Sequence, residues 1–291
     1  MPEPDQVRPA DHTGFFTYRN PHDYHPDWPG FYDDALRRRD DVRRRLSHDV
    51  ALKYGEHPFQ LANVYHPENA TAAPVIVYFH GGRWREGHPD HYDHFAEPWV
   101  EAGAVFISCG YRLEPEYTIG DSIDDAMRAV TWAAANAARF GGDPTRITVA
   151  GHSAGGHLAA MLTMTDWDQT PLPENGAMTG AVCMSPPTDL RVRMLEGPEA
   201  ARYSPALRVT KAPAHVVVSF GEPEPNKKAQ DEHFFADQGR LLVAALTDKG
   251  ASPVTVTMPH TDHVATAAAF ADTSSDLFTA ARSAIFANGE R

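Results

Sequence analysis

A short segment bounded by glycines constrains the fold of this chain more than any other feature. It reads Gly151-His152-Ser153-Ala154-Gly155. It comes directly after the run 147–150, which is rich in β-branched residues, and shortly before the helix-forming run 157–162. The order of strand, Gly-x-Ser-x-Gly and helix is typical of a nucleophile elbow, a sharp turn that exposes a serine hydroxyl at the edge of a sheet. The pattern predicts Ser153 as a nucleophile. Without that context, a serine that only caps a packed helix is the alternative interpretation.

A second glycine-bearing segment, His80-Gly81-Gly82-Arg83-Trp84, follows another apolar strand. Small residues let backbone N–H groups come close to a carbonyl oxygen, and such fixed donors stabilise the negative charge that develops on it during acyl transfer. The predicted oxyanion donors are the N–H groups of Gly82 and Ala154, with those of Gly81 and Arg83 as alternates. An ordinary tight turn is the other interpretation of the glycine pair.

A nucleophilic serine needs a base, and two histidines follow the strand predicted over 254–259. His260 comes directly after that strand, and His263 lies deeper in the loop, where it leads into a helix. We predict that His263 is the base, with His260 as the alternative, because a residue so close to the strand end is more suited to packing there.

The base needs a carboxylate that holds its imidazole in one tautomer. Glu222 and Glu224 both follow the strand over 215–220. We predict Glu224, because three residues past Gly221 give the chain room to turn back over the sheet edge where open α/β sheets place their chemistry. Glu222 is the alternative, and Asp231 and Asp262 are further candidates.

Strand-like and helix-like runs alternate along the chain. Eight strands are predicted near residues 50–54, 60–65, 75–79, 104–108, 147–150, 181–185, 215–220 and 254–259. Helices are predicted after Asp121, up to the Phe140-Gly141-Gly142 stop, and from Val264 to Phe286. This alternation predicts an α/β fold with a mainly parallel sheet and helices on both faces. Residues 1–48 are predicted to form a small N-terminal lid over the entrance, and residues 49–291 the core domain.

The chain resembles the α/β-hydrolases that include kynurenine formamidase (arylformamidase) and related esterases of the hormone-sensitive-lipase type. Trp84 after Arg83 is more like the formamidases, because the lipase-type relatives carry a third glycine at position 83. The resemblance implies the α/β-hydrolase fold, a catalytic triad of Ser153, Glu224 and His263, an oxyanion hole and no cofactor. Besides the segments already quoted, it is carried by Asp27-Trp28-Pro29-Gly30-Phe31-Tyr32, Lys53-Tyr54-Gly55, Gly110-Tyr111-Arg112-Leu113, Arg139-Phe140-Gly141-Gly142-Asp143-Pro144 and Gly156-His157-Leu158.

The expected reaction is hydrolysis of a small amide or ester through an acyl-enzyme at Ser153. An N-formyl arylamine such as N-formylkynurenine is the expected substrate type, and a broad carboxylesterase or a non-catalytic ligand-binding protein on the same scaffold are the alternatives. Arg83 is predicted either to bind a substrate carboxylate or to point to solvent. Aromatic residues that suit a substrate ring at the predicted mouth are Trp84, Trp99, Trp28, Phe31 and Tyr32.

Composition excludes several classes of partner. A net charge of −13 argues against nucleic acid, because neutralising phosphates requires a basic surface. No apolar run approaches the roughly 18 residues needed to cross a membrane, and the acidic N-terminus lacks a signal-peptide core, so no membrane partner and a cytoplasmic location are predicted. Cys109 and Cys183 are expected to be two buried thiols. A small-molecule substrate is the expected partner, and a homodimer is compatible with the sequence.

Two histidine clusters, 22–25 and 88–94, are the strongest argument for a metal. Neither cluster matches a recognised zinc spacing, so no metal is predicted, and both are expected to belong to an exposed lid. The arginine-rich run 37–45 contains interleaved acidic residues at helical spacing, and Leu36, Val42 and Leu46 form an apolar stripe. The arginines are therefore expected to lie on a solvated helix face.

Overall fold

One sheet runs through the protein. The computed structural model describes residues 28–164, 178–192, 195, 197–210, 213–225 and 231–287. Its strands are β1 (Ser47–Lys53), β2 (Leu61–His66), β3 (Ala73–Phe79), β4 (Val105–Cys109), β5 (Gly142–His152), β6 (Met178–Met184), β7 (His215–Glu222) and β8 (Val254–Pro259). Their spatial order is β1-β2-β4-β3-β5-β6-β7-β8. β2 pairs antiparallel with β1 and β4, and all other neighbours pair parallel.

Helices cover both faces of the sheet. They are α1 (Trp28–Arg45), α2 (Ala96–Glu101), α3 (Ile119–Asn136), α4 (Ala154–Thr163), α5 (Pro198–Arg202), α6 (Phe234–Asp248), α7 (His263–Ala268) and α8 (Asp276–Phe286). Alternate side chains of β3 enter different cores: Val75 and Val77 join the cluster that contains α3, α4 and α6, whereas Ile76 and Tyr78 join the one with α2 and α8. The predicted α/β architecture and its eight strands are confirmed.

Two helix predictions have different outcomes. The helix predicted after Asp121 is confirmed, although it begins earlier, at Ile119: Thr118 and Asp121 form a reciprocal capping box, and Gly141 ends the following 3-10 turn with φ +74°. A single helix over 264–286 is wrong. The chain breaks between α7 and α8, where the Asp272 carboxylate accepts the N–H of Ser274 and the Ser275 hydroxyl caps α8.

The arginine-rich helix α1 has the predicted solvated face, but Arg43 departs from it: its side chain is partly buried and anchors the helix to the sheet. Arg43 donates to Asp90 (3.0 Å) and to the fully buried Asp93 (2.6 Å). Asp93 also accepts from the Tyr65 hydroxyl (2.7 Å). Because a buried carboxylate is costly without partners, this network ties α1 to β2. The exposed arginines of α1 are Arg37, Arg38, Arg44 and Arg45.

The segment 88–94 is not an exposed lid. His88, His91 and His94 are each at most 6% exposed, because the segment packs beneath α1. Within the described residues, no three His, Cys, Asp or Glu side chains come together as candidate metal ligands. The other cluster, 22–25, and the remainder of the predicted lid up to residue 27 lie outside the described residues.

Three further predictions concern buried groups and membrane spans. Cys109 and Cys183 are buried free thiols, as predicted.

Trp99 does not lie at the mouth of a substrate site: it is fully buried and packs on Phe270 and Phe278, with ring centroids 4.8 and 4.4 Å away. The side chains of Trp28, Phe31 and Tyr32 lie outside the described part of the structure. Among the helices that are described, none has the length and apolarity to cross a membrane.

Buried histidines predict that the protein loses stability in mild acid. Burial lowers the pKa of His80 and His94 to about 3 and that of His157 to about 4. The unfolded chain therefore binds more protons than the folded chain below pH 6.5, and the free energy of unfolding falls as the pH is lowered from 7 to 5. Urea unfolding at pH 5, 6 and 7 measures this loss, which we expect to be several kcal/mol, at about 1.4 kcal/mol per pH unit and histidine.

His157→Gln should reduce this loss by on the order of 2 kcal/mol, because one buried neutral histidine is removed. His260→Gln is the matched control, because His260 is exposed. A free energy of unfolding that stays constant from pH 7 to 5 would contradict the prediction.

Candidate active site

Ser153 lies in a strained turn between β5 and α4. Its φ and ψ are 55° and −117°, in the left-handed region that non-glycine residues rarely adopt. A Cβ on Gly155 would come within 1.9 Å of the Phe79 carbonyl oxygen, and one on Gly151 within 2.3 Å of the Gly155 carbonyl oxygen. Both positions therefore require glycine. The turn is held by the Ser153 N–H, which donates to the Met184 carbonyl (2.9 Å).

Three of the predicted residues form one hydrogen-bonded chain at the carboxyl ends of β5, β7 and β8. The Ser153 Oγ lies 2.9 Å from the His263 Nε2. The other ring nitrogen, Nδ1, bonds to the Glu224 Oε1. The Glu224 side chain is fully buried, and that of His263 is 13% exposed. This arrangement can take a proton from the serine hydroxyl onto an imidazole that a carboxylate orients.

The Glu224 carboxylate is held on both oxygens. Oε2 accepts the backbone N–H of Gly221 (2.7 Å) and the hydroxyl of Ser185 (2.9 Å), while Oε1 faces His263. The Glu224 N–H donates to the Glu232 carbonyl (2.8 Å), which fixes the turn after β7. These donors compensate for the burial of a charged group.

The alternative acids and the alternative base form no part of the hydrogen-bonded line of Ser153, His263 and Glu224. Glu222 pairs with Arg240 at the surface, and that hydrogen bond lowers the pKa of Glu222. His260 is exposed, and its N–H donates to the Glu222 carbonyl (3.3 Å). The Asp262 carboxylate caps α7 by accepting the N–H groups of Val264 and Ala265 at 2.9 Å each, and that of Asp231 accepts the N–H of His233 (3.1 Å).

The predicted oxyanion segment lies next to the nucleophile. A Cβ on Gly81 would be 3.3 Å from the Ser153 Cβ, so the Gly81 backbone borders the serine directly. Gly82 has φ +123°, and its carbonyl accepts the N–H groups of Arg85 (2.9 Å) and Glu86 (3.1 Å) in a tight turn. Ala154 is the first residue of α4, immediately after the serine. An oxyanion hole formed by Gly81, Gly82 and Ala154 stays a prediction.

Arg83 and Trp84 diverge in their surroundings. Both have positive φ, 56° and 59°, as the loop turns away from β3. Arg83 is exposed, whereas Trp84 is 5% exposed and packs edge-on against the His157 ring, with centroids 5.0 Å apart. Trp84 is therefore a core residue beneath the loop. Substrate binding by Arg83 and Trp84 stays a prediction.

Four residues around Ser153, His263 and Glu224 were not predicted from the sequence as parts of the site. Phe235 stacks on the His263 ring with centroids 4.0 Å apart, and the His152 ring lies 4.5 Å from it. Ser185 contacts Glu224, and Thr266 contacts Ser185 (3.1 Å). Ser185 directly follows β6, so the rule that the chemistry of parallel sheets collects at strand ends could have found it. Phe235 and Thr266 lie on helices, and no motif or strand end in the sequence marks them as parts of the site.

Comparison with solved structures identifies the architecture. A crystal structure of a provisionally assigned thioesterase from Silicibacter sp. TM1040 superposes with a TM-score of 0.73 at 26% identity, covering 90% of this chain and 96% of the other. A family model described as the alpha/beta hydrolase fold matches residues 76–219. The protein has the α/β-hydrolase fold. An esterase of Pyrobaculum calidifontis shares the fold with a TM-score of 0.64 at 24% identity, covering 80% of this chain and 82% of the other.

Curated relatives of this chain include formamidases and esterases. It is 29% identical over 201 residues to a kynurenine formamidase of Danio rerio, covering 63% of this chain and 66% of the relative. It is 48% identical over 90 residues to a carboxylesterase of Mycobacterium tuberculosis, covering 31% of this chain and 28% of the relative. Each match spans less than two thirds of the relative's length.

Proposed function

We propose that this α/β-hydrolase is a serine hydrolase that cleaves a small amide or ester through an acyl-enzyme on Ser153. The observation that carries the proposal is the continuous chain from the Ser153 hydroxyl through His263 to the buried carboxylate of Glu224. A serine hydroxyl is a weak nucleophile on its own, and an adjacent oriented base activates it. The complete chain also argues against the non-catalytic alternative, which would need none of these three groups.

The proposed reaction begins when the Ser153 Oγ attacks the substrate carbonyl carbon while His263 Nε2 takes the hydroxyl proton. Glu224 stabilises the imidazolium that forms, and the N–H groups of the oxyanion segment donate hydrogen bonds to the carbonyl oxygen as negative charge develops on it. The tetrahedral intermediate collapses, and His263 gives its proton to the leaving nitrogen or oxygen. Water then attacks the acyl-enzyme carbonyl while His263 takes its proton. The second tetrahedral intermediate collapses as the C–O bond to Ser153 breaks and His263 returns the proton to the Ser153 Oγ, which releases the carboxylic acid.

The proposed substrate is an N-formyl arylamine such as N-formylkynurenine. Support comes from the formamidase relative, whose match extends over 63% of this chain. Arg83 is exposed on the loop that carries Gly81 and Gly82, and in this proposal its guanidinium binds a substrate carboxylate. A carboxylesterase is the second candidate, favoured by the higher identity, 48%, over the shorter match.

Hydrolysis of N-formyl-L-kynurenine and of p-nitrophenyl acetate and butyrate by the purified protein distinguishes these candidates. We expect kcat/KM to be at least about tenfold higher for the formyl amide, because its polar groups add binding that the esters cannot supply. Ser153→Ala measures the background with each substrate. Faster turnover of the esters would favour the carboxylesterase, and no turnover of any of these substrates would count against the proposed reaction.

Glu224→Gln should lower kcat by roughly 10⁴, because the amide keeps the shape of the side chain but cannot stabilise the His263 imidazolium. Glu222→Gln is a matched control on the same loop and should change kcat by less than about twofold, since Glu222 pairs with Arg240 at the surface. Steady-state kinetics on the preferred substrate measures both. A Glu222 variant that is crippled while the Glu224 variant stays active would refute the assignment of the acid.

A further inference from the structure

A second line of hydrogen-bonded side chains reaches the Glu224 carboxylate from the residue next to the nucleophile. The His152 Nε2 lies 3.1 Å from the Thr266 Oγ1, which lies 3.1 Å from the Ser185 Oγ. The Ser185 Oγ in turn lies 2.9 Å from the Glu224 Oε2. His152, Thr266, Ser185 and Glu224 are each at most 4% exposed, so water does not compete for these contacts.

The few protons on these hydroxyls constrain which ring nitrogen of His152 is protonated. An ionised carboxylate only accepts, so the single Ser185 proton goes to Glu224. The Thr266 hydroxyl has one proton, which goes either to Ser185 or to the His263 carbonyl (2.8 Å). Neither case leaves a Thr266 proton for His152, so the His152–Thr266 contact is a hydrogen bond only if the His152 Nε2 carries a proton and donates it. In that tautomer the Nδ1 of His152 is an acceptor. This Nδ1 faces Gly81: a Cβ on Gly81 would lie 3.1 Å from it.

His152 also contacts the base itself. Its ring centroid lies 4.5 Å from that of His263. Burial holds the pKa of His152 well below its ordinary value, and the positive charge that His263 can carry lowers it further. The neighbour of the base is thus a neutral ring, which does not repel the imidazolium that His263 becomes during the proposed reaction.

We propose that His152 is a positioning residue of the proposed hydrolysis: it packs against the His263 ring and, through Thr266 and Ser185, fixes the Glu224 carboxylate opposite His263 Nδ1. This inference rests on the proposed function. Because His152 is buried and acts through other residues, its loss should lower kcat and leave KM nearly unchanged.

Two substitutions at position 152 separate this role from simple packing. His152→Asn places no donor at the Nε2 position and should lower kcat by about 10- to 100-fold, the effect expected when a buried hydrogen-bonding group loses its partner. His152→Gln can place its amide N–H near that position and should recover most of the loss. If the Gln variant is as impaired as the Asn variant, or if KM rises while kcat holds, the inference is wrong.

A double-mutant cycle tests whether His152 acts through Thr266. Thr266→Val removes the hydroxyl at nearly constant volume, and Thr266→Ser keeps it. We expect the double variant His152→Asn with Thr266→Val to have the kcat of the more impaired single variant, because both break the same line of contacts. Multiplied effects of the two substitutions would overturn the proposal.

Two controls distinguish a variant that fails to fold from one that folds but has lost activity. Thermal unfolding of each variant shows whether it folds. If the His152→Asn variant does not fold, the Thr266→Ser and Thr266→Val variants provide the test. We expect kcat near the wild-type value in Thr266→Ser and a lowered kcat in Thr266→Val. Equal activity of that pair would refute the inference. Ser153→Ala, measured in parallel, tests the proposed function separately: wild-type activity that depends on Ser153 and is insensitive to His152 and Thr266 would refute only the positioning role.

Discussion

The buried carboxylate of Glu224 is the group on which the site depends most directly. Removing an ionised carboxylate from water is unfavourable unless donors replace the lost hydration. Here the Gly221 N–H, the Ser185 hydroxyl and the His263 ring surround it, so each of its oxygens has a fixed partner. The carboxylate can therefore stay in place while the imidazole beside it gains and loses a proton, and no reorganisation of solvent is needed at the moment of reaction.

The sheet makes this arrangement possible. Parallel pairing of β5, β6, β7 and β8 brings their carboxyl ends to one edge, so residues more than a hundred positions apart, such as Ser153 and His263, meet within hydrogen-bond distance. The strained backbone at Ser153 persists because the surrounding structure leaves it no alternative. Glycines on both sides admit the close approach of neighbouring backbone, and the Ser153 N–H is tied to β6.

Local patterns predicted the fold and the three residues that meet, whereas contacts between distant segments escaped prediction. Strand periodicity and the glycine-bounded serine are local, and the loop-length argument selected Glu224, the acid that the structure places beside His263. Arg43 was expected in solvent because charges at helical spacing have the same pattern whether they are solvated or paired with a buried partner such as Asp93. His152 adjoins the serine, but its contact with Thr266 spans more than a hundred residues, so spacing could not reveal it.

Covalent labelling tests the central claim, that the hydrogen-bonded chain makes Ser153 a nucleophile. An organophosphonate that resembles the tetrahedral intermediate should modify wild-type protein once, and peptide mapping by mass spectrometry should place the added mass on Ser153. Ser153→Ala should fold, resist labelling and lose essentially all hydrolysis. Modification at another residue, or an active and labelled alanine variant, would contradict the account.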